Sequence, residues 1–169
     1  AMVRVGQAIS STLDLDGILE TVAKNALPML GLEDGRSTIF LVDEKTGDFV
    51  RLTRVPPRKD GNGPRRSGGL SSLVIETGEP IVIPDVRRDS RVRASMVEEG
   101  VRSLIGVPLK VKERTIGVLF VNTLCPCDFT QRDIEMLSSL ANQAAVAIEN
   151  AKQYEELRQA HEDLAAATT

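Results

Sequence analysis

The chain has 169 residues, of which 41% are hydrophobic and 27% charged, and it carries a net charge of −3. That length suits one domain with a full core and is too short for two ordinary ones. No apolar run approaches the roughly 18 residues needed to span a bilayer, and the acidic balance argues against general nucleic-acid affinity, so neither a membrane nor a nucleic acid is an expected partner.

Nothing at the N-terminus has the basic start, apolar core and small-residue cleavage site of a signal peptide, so a cytoplasmic location is expected. Ala1 has the look of a cloning remnant, and the chain is expected to have been cut from a longer protein. The charge is unevenly spread. Residues 51–102 hold eleven basic against seven acidic side chains, while both flanking segments are acidic. This local excess reads either as solvated loop charge or as an anion site.

In chain order, Val5, Ala8, Ile9 and Leu13 suggest a first helix, and Leu15, Ile18, Leu19, Val22 and Ala26 continue at spacings of three and four as a second. Asp14 or Asp16 can cap this second helix, and Pro28 and Gly31 end it. "STIFLV", "DEKTGD" and "FVRLTRV" then read as strand, turn and strand, a hairpin. "PPRKDGNGPRRSGG" is a long loop of prolines, glycines and basic residues. Leu70, Leu73, Val74 and Thr77 have the spacing of two helical turns laid on an apolar surface, with Gly78 as the stop.

"PIVIPD" is a short strand between prolines, which suits a sheet edge. "VRRDSRVRASMVEEG" is a charged loop with one helical turn near Met96. Ile105, Val107, Leu109 and Val111 alternate, and "TIGVLFVN" answers them after a tight turn at 112–114, giving a second hairpin. From Thr130 onward the chain contains neither glycine nor proline and reads as one long helix. Its first half, Leu137, Leu140, Ala141, Ala144 and Ile148, can cover a sheet. Its second half places Ala147, Asn150, Tyr154, Leu157, His161 and Leu164 at spacings of three and four, a heptad seam that calls for a second helix, most simply that of an identical chain, or else is a frayed solvent helix.

The runs "GGLSSLVIETGEPIVIPDVRRDSRV", "VRSLIGVPLKVKERTIGVLFVNT" and "FTQRDIEMLSSLANQAAVAIENAKQYEEL" together resemble GAF domains of bacterial signalling proteins, over about residues 10 to 157. The resemblance implies an α+β fold related to that of PAS domains: an antiparallel five- to six-stranded sheet, N- and C-terminal helices on one face, and ligand-pocket helices and loops on the other. A single domain over 1–169 is expected, with a core at about 10–148 and a helical linker at 149–169 leading to an output module that this chain lacks. In such a fold Leu70 to Thr77 is the roof helix, Ile81 to Ile83 the edge strand, and Val86 to Met96 the loop that closes the cavity. The pocket and lid candidates are Arg54, Leu70, Leu73, Ile83, Asp85, Arg91, Arg93, Met96 and Ile105, and the partners implied are a small molecule, for which Arg65, Arg66, Arg87 and Arg88 suggest an anion, and a second copy of the chain.

The resemblance also bears on narrower chemistry. Cyclic-nucleotide-binding GAF domains show an Asn-Lys pair and then Phe, three residues, and Asp-Glu; here Asn122, Phe129 and Asp133 match, but Thr123 and Ile134 replace the Lys and Glu, so the ion pair of that motif cannot form. No pocket-region cysteine or histidine is available for a bilin or haem, so no cofactor is expected. Cys125 and Cys127 read as inert loop cysteines or as a thiol redox pair, and two sulfurs with no nearby His make a poor zinc site. With no phosphate-binding loop, Ser/His arrangement or spaced carboxylate pair, the sequence is not read as an enzyme. A sensory domain that signals through its exit helix, or a ligand-free module for dimerisation and spacing, is expected; histidine kinases, diguanylate cyclases, chemotaxis receptors and transcriptional activators all use such domains.

Overall fold

The computed structural model describes residues 15–43, 45–46, 49–56 and 69–167. The expected first helix through Val5 and Leu13, Asp14, Arg65, Arg66 and most of the Pro/Gly loop lie outside the described residues. Helix α1 spans Leu15–Met29 and buries Ile18, Leu19, Val22, Ala23 and Ala26, one stripe at helical spacing. Pro28 sits inside its last turn, and the chain leaves through Gly31 at φ 71°. Strands β1 (Arg36–Val42) and β2 (Phe49–Val55) form the first hairpin.

Helix α2 spans Leu70–Thr77 and is closed by Gly78, whose left-handed φ of 66° aims its N–H at the Val74 carbonyl. Strand β3 (Ile81–Ile83) pairs only with β4 and lies at the sheet edge, as its flanking prolines predict. The charged loop is more ordered than its composition suggests, with a 3-10 turn at Val86–Arg88 and a short helix α3 at Ala94–Glu98. Strands β4 (Ser103–Val111) and β5 (Arg114–Thr123) make the second hairpin, turning at Lys112 with φ 58°. Helix α4 runs from Gln131 to Ala167. Thr130 and Asp133 start it reciprocally: the Asp133 N–H donates to Thr130 Oγ1, and the Thr130 N–H to Asp133 Oδ2.

The sheet has five strands in the order β2-β1-β5-β4-β3, every neighbouring pair antiparallel. Alternation sends successive side chains to opposite faces, so the domain has two apolar cores. On one face Ile39, Leu41, Ile105, Val107, Leu109, Leu119 and Val121 meet α1 and the first half of α4. On the other, Ile81, Ile83, Leu104, Val118 and Phe120 meet Val74 of α2 together with Val86 and Val101 of the lid. None of the described helices is long and apolar enough to cross a membrane.

Gly117 fixes how closely β1 can approach β5, because a Cβ there would fall on the Phe40 carbonyl oxygen of the neighbouring strand. That obstacle is backbone and cannot rotate away. Gly117→Ala is therefore expected to cost about 1–3 kcal/mol as overpacking does, and to lower the melting temperature by roughly 2–10 °C. Thermal melting followed by circular dichroism checks this, and an unchanged midpoint would mean that the two strands sit farther apart.

Candidate functional site

The face opposite the terminal helices is roofed by α2, the 3-10 turn and α3. Cross-strand pairing lays its residues out in rows. Arg54, Thr38, Phe120, Gly106 and Ile81 stand opposite one another from β2 across to β3, and Arg36, Asn122, Leu104 and Ile83 form the neighbouring row. The β3 and β4 end is apolar and closely filled, and Gly106 leaves the space that the Phe120 ring occupies. Phe40 meets Phe120 edge to face with ring centroids 6.1 Å apart. The β1 and β2 end is polar. There Arg54 Nε donates to Thr38 Oγ1 at 3.4 Å, and Arg36 Nη1 reaches Glu99 Oε2 of the lid at 3.4 Å.

The lid is held by one local device used twice. Asp85 caps the 3-10 turn, accepting from the Arg87 N–H at 3.0 Å and from the Arg87 guanidinium at 3.0 and 3.1 Å. Asp89 repeats the pattern two residues before Arg91, accepting from its N–H and Nε, each at 2.9 Å, and from its Nη2 at 2.6 Å. The charge-assisted bonds from Arg87 hold the Asp85 carboxyl below its ordinary value, and those from Arg91 bring Asp89 down to about 2. A carboxylate whose folded pKa is depressed contributes stability above its unfolded pKa and loses it as pH falls, here between about 4 and about 2. Arg91→Gln is expected to return the Asp89 titration toward the ordinary carboxylate range. A carbon-13 carboxyl titration by NMR reads this directly, and an unmoved midpoint would show that Arg91 is not the cause.

The structure therefore distributes the expected site residues unevenly. Arg54 and Ile83 lie on the roofed face, and Leu70, Leu73 and Met96 pack partly buried against its apolar cluster. Asp85 and Arg91 are engaged in the lid's own staples. Arg93 precedes α3, with its Nη2 3.8 Å from the position of a Cβ at Gly69, beside the first turn of α2. Ile105 requires correction: it points to the opposite face, into the core with α1 and α4, because it alternates with Leu104 and Gly106, which face the roof. Arg36 and Glu99 were not among the expected residues, and Asn122 entered only as a motif match. The alternation of Arg36, Thr38 and Phe40 against Ile39 and Leu41 was the signal that could have placed Arg36.

The cysteine loop is tied to the lid. Ser103 Oγ, on a buried residue, donates to the Pro84 carbonyl at 2.6 Å and accepts from the Cys127 N–H at 2.8 Å, so the residue after β3 and the loop before α4 share one hydroxyl. Cys125 and Cys127 are both free thiols. Burial, with Asp133 and Asp128 nearby, pushes the Cys127 pKa up, the opposite of what activates a nucleophile. Asp133, matched above to a cyclic-nucleotide motif, spends its carboxylate on the start of α4. Among the described residues no three of His, Cys, Asp and Glu gather as metal ligands.

On α4 the buried residues Leu137, Ala141, Ala144, Ala145, Ile148 and Ala151 cover the sheet and α1. Every residue from Gln153 to Ala166 is exposed. Tyr154, Leu157 and Leu164 of the expected seam are 47%, 71% and 64% exposed, and Asn150 and His161 are exposed beside them. Ala147 requires correction, since it packs partly buried against the core. Val146, 55% exposed, takes its place, because eleven and eighteen residues bring a 3.6-residue helix back to nearly the same angle at Leu157 and Leu164. The ion pairs of Arg158 with Glu155 and Glu162 run along the helix beside the stripe, Arg158 four residues after Tyr154.

The chain is 27% identical over 150 residues to the Nif-specific regulatory protein of Azospirillum lipoferum, and spans 23% of that relative's length. Among solved structures it resembles the GAF domain of an Acinetobacter phosphoenolpyruvate-protein phosphotransferase, with 24% identity, 89% of this chain and 91% of that one covered, and a TM-score of 0.71. It also resembles the free methionine-R-sulfoxide reductase of Neisseria meningitidis, crystallised with its substrate, with 23% identity, 89% of each chain covered, and a TM-score of 0.66. Both likenesses are of fold, and the fold thus serves an enzyme as well as regulatory proteins. The family model described as a GAF domain matches residues 12–149, with strand order, roof helix and terminal-helix face all consistent with it, and the chain belongs to the GAF domain family.

Proposed function

We propose that this domain senses a small molecule beneath the α2 and α3 roof and passes the state of that site to an output module through α4, within a dimer of identical chains. The observation that carries the reading is the continuity of α4. One helix covers the sheet through Leu137 to Ala151 and then leaves the fold with an exposed apolar stripe through Val146, Tyr154, Leu157 and Leu164. Such a stripe in water calls for a partner helix. The Ser103 hydroxyl supports transmission, since it bonds both Pro84, between β3 and the lid, and the loop that starts α4. The roof is a short helix and a looped lid, elements that rearrange at small cost. The Nif-specific regulatory protein, of which the chain spans about a quarter, favours a regulatory protein as the parent.

A second reading, dimerisation and spacing without a ligand, is favoured by the close filling of the apolar end around Val74 and Phe120. Thiol redox signalling is disfavoured by the raised pKa of Cys127. Native and denaturing mass spectra of the purified domain separate the readings. A dimer that loses a small mass on denaturation is expected for a sensor, a bare dimer with no response to a metabolite panel supports the spacer, and a monomer would remove both.

A further inference from the structure

Two neighbouring groups on the polar end of the roofed face are buried and have no hydrogen-bond partner among the described residues: Nε of Arg36 and Oδ1 of Asn122. The two residues stand directly opposite each other on β1 and β5, so their side chains rise side by side from the sheet. Folded proteins leave few buried donors and acceptors unmatched, and such a pair points to a binding partner. Arg36 is at the same time only loosely engaged, its Nη1 reaching Glu99 Oε2 at 3.4 Å, beyond the usual length of a charge-assisted bond. A guanidinium grips a carboxylate best through two parallel bonds from adjacent nitrogens.

We propose that Arg36 and Asn122 receive a small α-hydroxy or α-amino acid, whose carboxylate takes the Arg36 fork while its hydroxyl or ammonium group donates to Asn122 Oδ1. Glu99 is an internal carboxylate on Nη1, off the Nε–Nη2 edge that the ligand takes, and it competes with the ligand for the charge of the same guanidinium. This rests on the reading of the domain as a small-molecule sensor and names the chemistry of that site. The pairing matters for signalling because of where Glu99 stands. It follows α3 directly, and Arg102, three residues on, leads into β4 with its N–H on the Thr123 carbonyl, so Glu99 stands between the short roof helix and the sheet. The Arg36–Glu99 pair bridges sheet and lid across 63 residues of sequence, whereas the Asp85 and Asp89 staples close only local turns. A ligand carboxylate that shares Arg36 weakens this tie between lid and sheet and leaves the local turns intact. Both carboxylates compete for one cation, so the ligand's affinity is set by how firmly Glu99 holds.

The test uses L-lactate as probe, propionate as the matched acid without the hydroxyl, and sodium chloride at equal ionic strength, titrated by NMR into the domain and into Glu99→Gln, Arg36→Gln and Asn122→Ala, each first shown to be folded. Removing the charge of a competitor whose side chain is 30% exposed is expected to tighten lactate binding about three- to five-fold in E99Q. R36Q should weaken it at least about ten-fold, as loss of a charged hydrogen-bond partner does. N122A should erase the preference for lactate over propionate. Equal affinity in wild type and E99Q, lactate binding retained in R36Q, or no lactate response in any folded variant would each overturn the proposal. These results leave the sensor reading separately testable. A small mass retained by the native dimer and still present in R36Q would keep the domain a sensor while placing its receptor elsewhere.

Discussion

Val74→Asp is expected to detach the roof from the sheet and to lower stability by about 3–5 kcal/mol, the cost of an uncompensated carboxylate in an apolar site. Val74 is the fully buried residue of α2, and it lies among Ile81, Ile83, Leu104, Val118 and Phe120. The lid cations Arg87 and Arg91 offer little relief, because they are exposed and already bound to Asp85 and Asp89. The new carboxyl would therefore be stable in the fold only when protonated, so the variant should regain stability as pH falls toward 4, the reverse of the wild-type trend set by Asp89. The damage should also be local. The roof cluster shares no residue with the core beneath α1 and α4, so amide hydrogen exchange should rise across residues 70–101 while β4 and β5 keep most of their protection. Leu73→Asp is the internal comparison. Leu73 is only partly buried, and a carboxylate there can turn toward solvent, for a cost of about 1 kcal/mol. Equal melting of the two variants would mean that α2 presents a different face to the sheet.

That contrast also shows what was legible in the sequence. The spacing of Leu70, Leu73, Val74 and Thr77 identifies the helix, but the period leaves its rotation open by about one residue, and only the packed sheet selects Val74. Strands were legible wherever one face is apolar and the other is not. Ile105 was misplaced because β4 is buried on both faces, so alternation in that strand could not say which face is roofed. The polar corner was least visible, since Arg36 and Asn122 lie 86 positions apart and only the β1–β5 register brings them together. The lid staples, in contrast, are written locally: Asp-x-Arg twice in succession, each aspartate accepting from the N–H and guanidinium two residues on. The Thr130–Asp133 cap is equally local, a threonine and an aspartate three residues apart at the start of α4.

The second large effect belongs to the exit helix: Leu157→Asp combined with Leu164→Asp is expected to weaken dimerisation by at least about a hundred-fold. A dimer joined along this stripe buries four leucines, two from each chain, each contributing about 1.5–3 kcal/mol on full burial. Four aspartates facing one another add like-charge repulsion. Even about half of the lost apolar term exceeds the 2.7 kcal/mol or so that a hundred-fold change in dissociation constant requires. The fold of each chain should be untouched, because both leucines are largely exposed and lie beyond Ala151, the last buried residue of α4. Sedimentation equilibrium gives the constant, and a circular-dichroism melt below the dissociation concentration shows whether the domain itself is intact. A parallel truncation after Gln153 removes Tyr154, Leu157 and Leu164 while keeping Ala151 in the core, whereas a cut after Ile148 would remove a core residue and confuse the two effects. If both variants dimerise like the wild type, the interface lies on the domain rather than on its exit helix, and α4 could not then carry the state of the roof to an output module by changing how two helices pair.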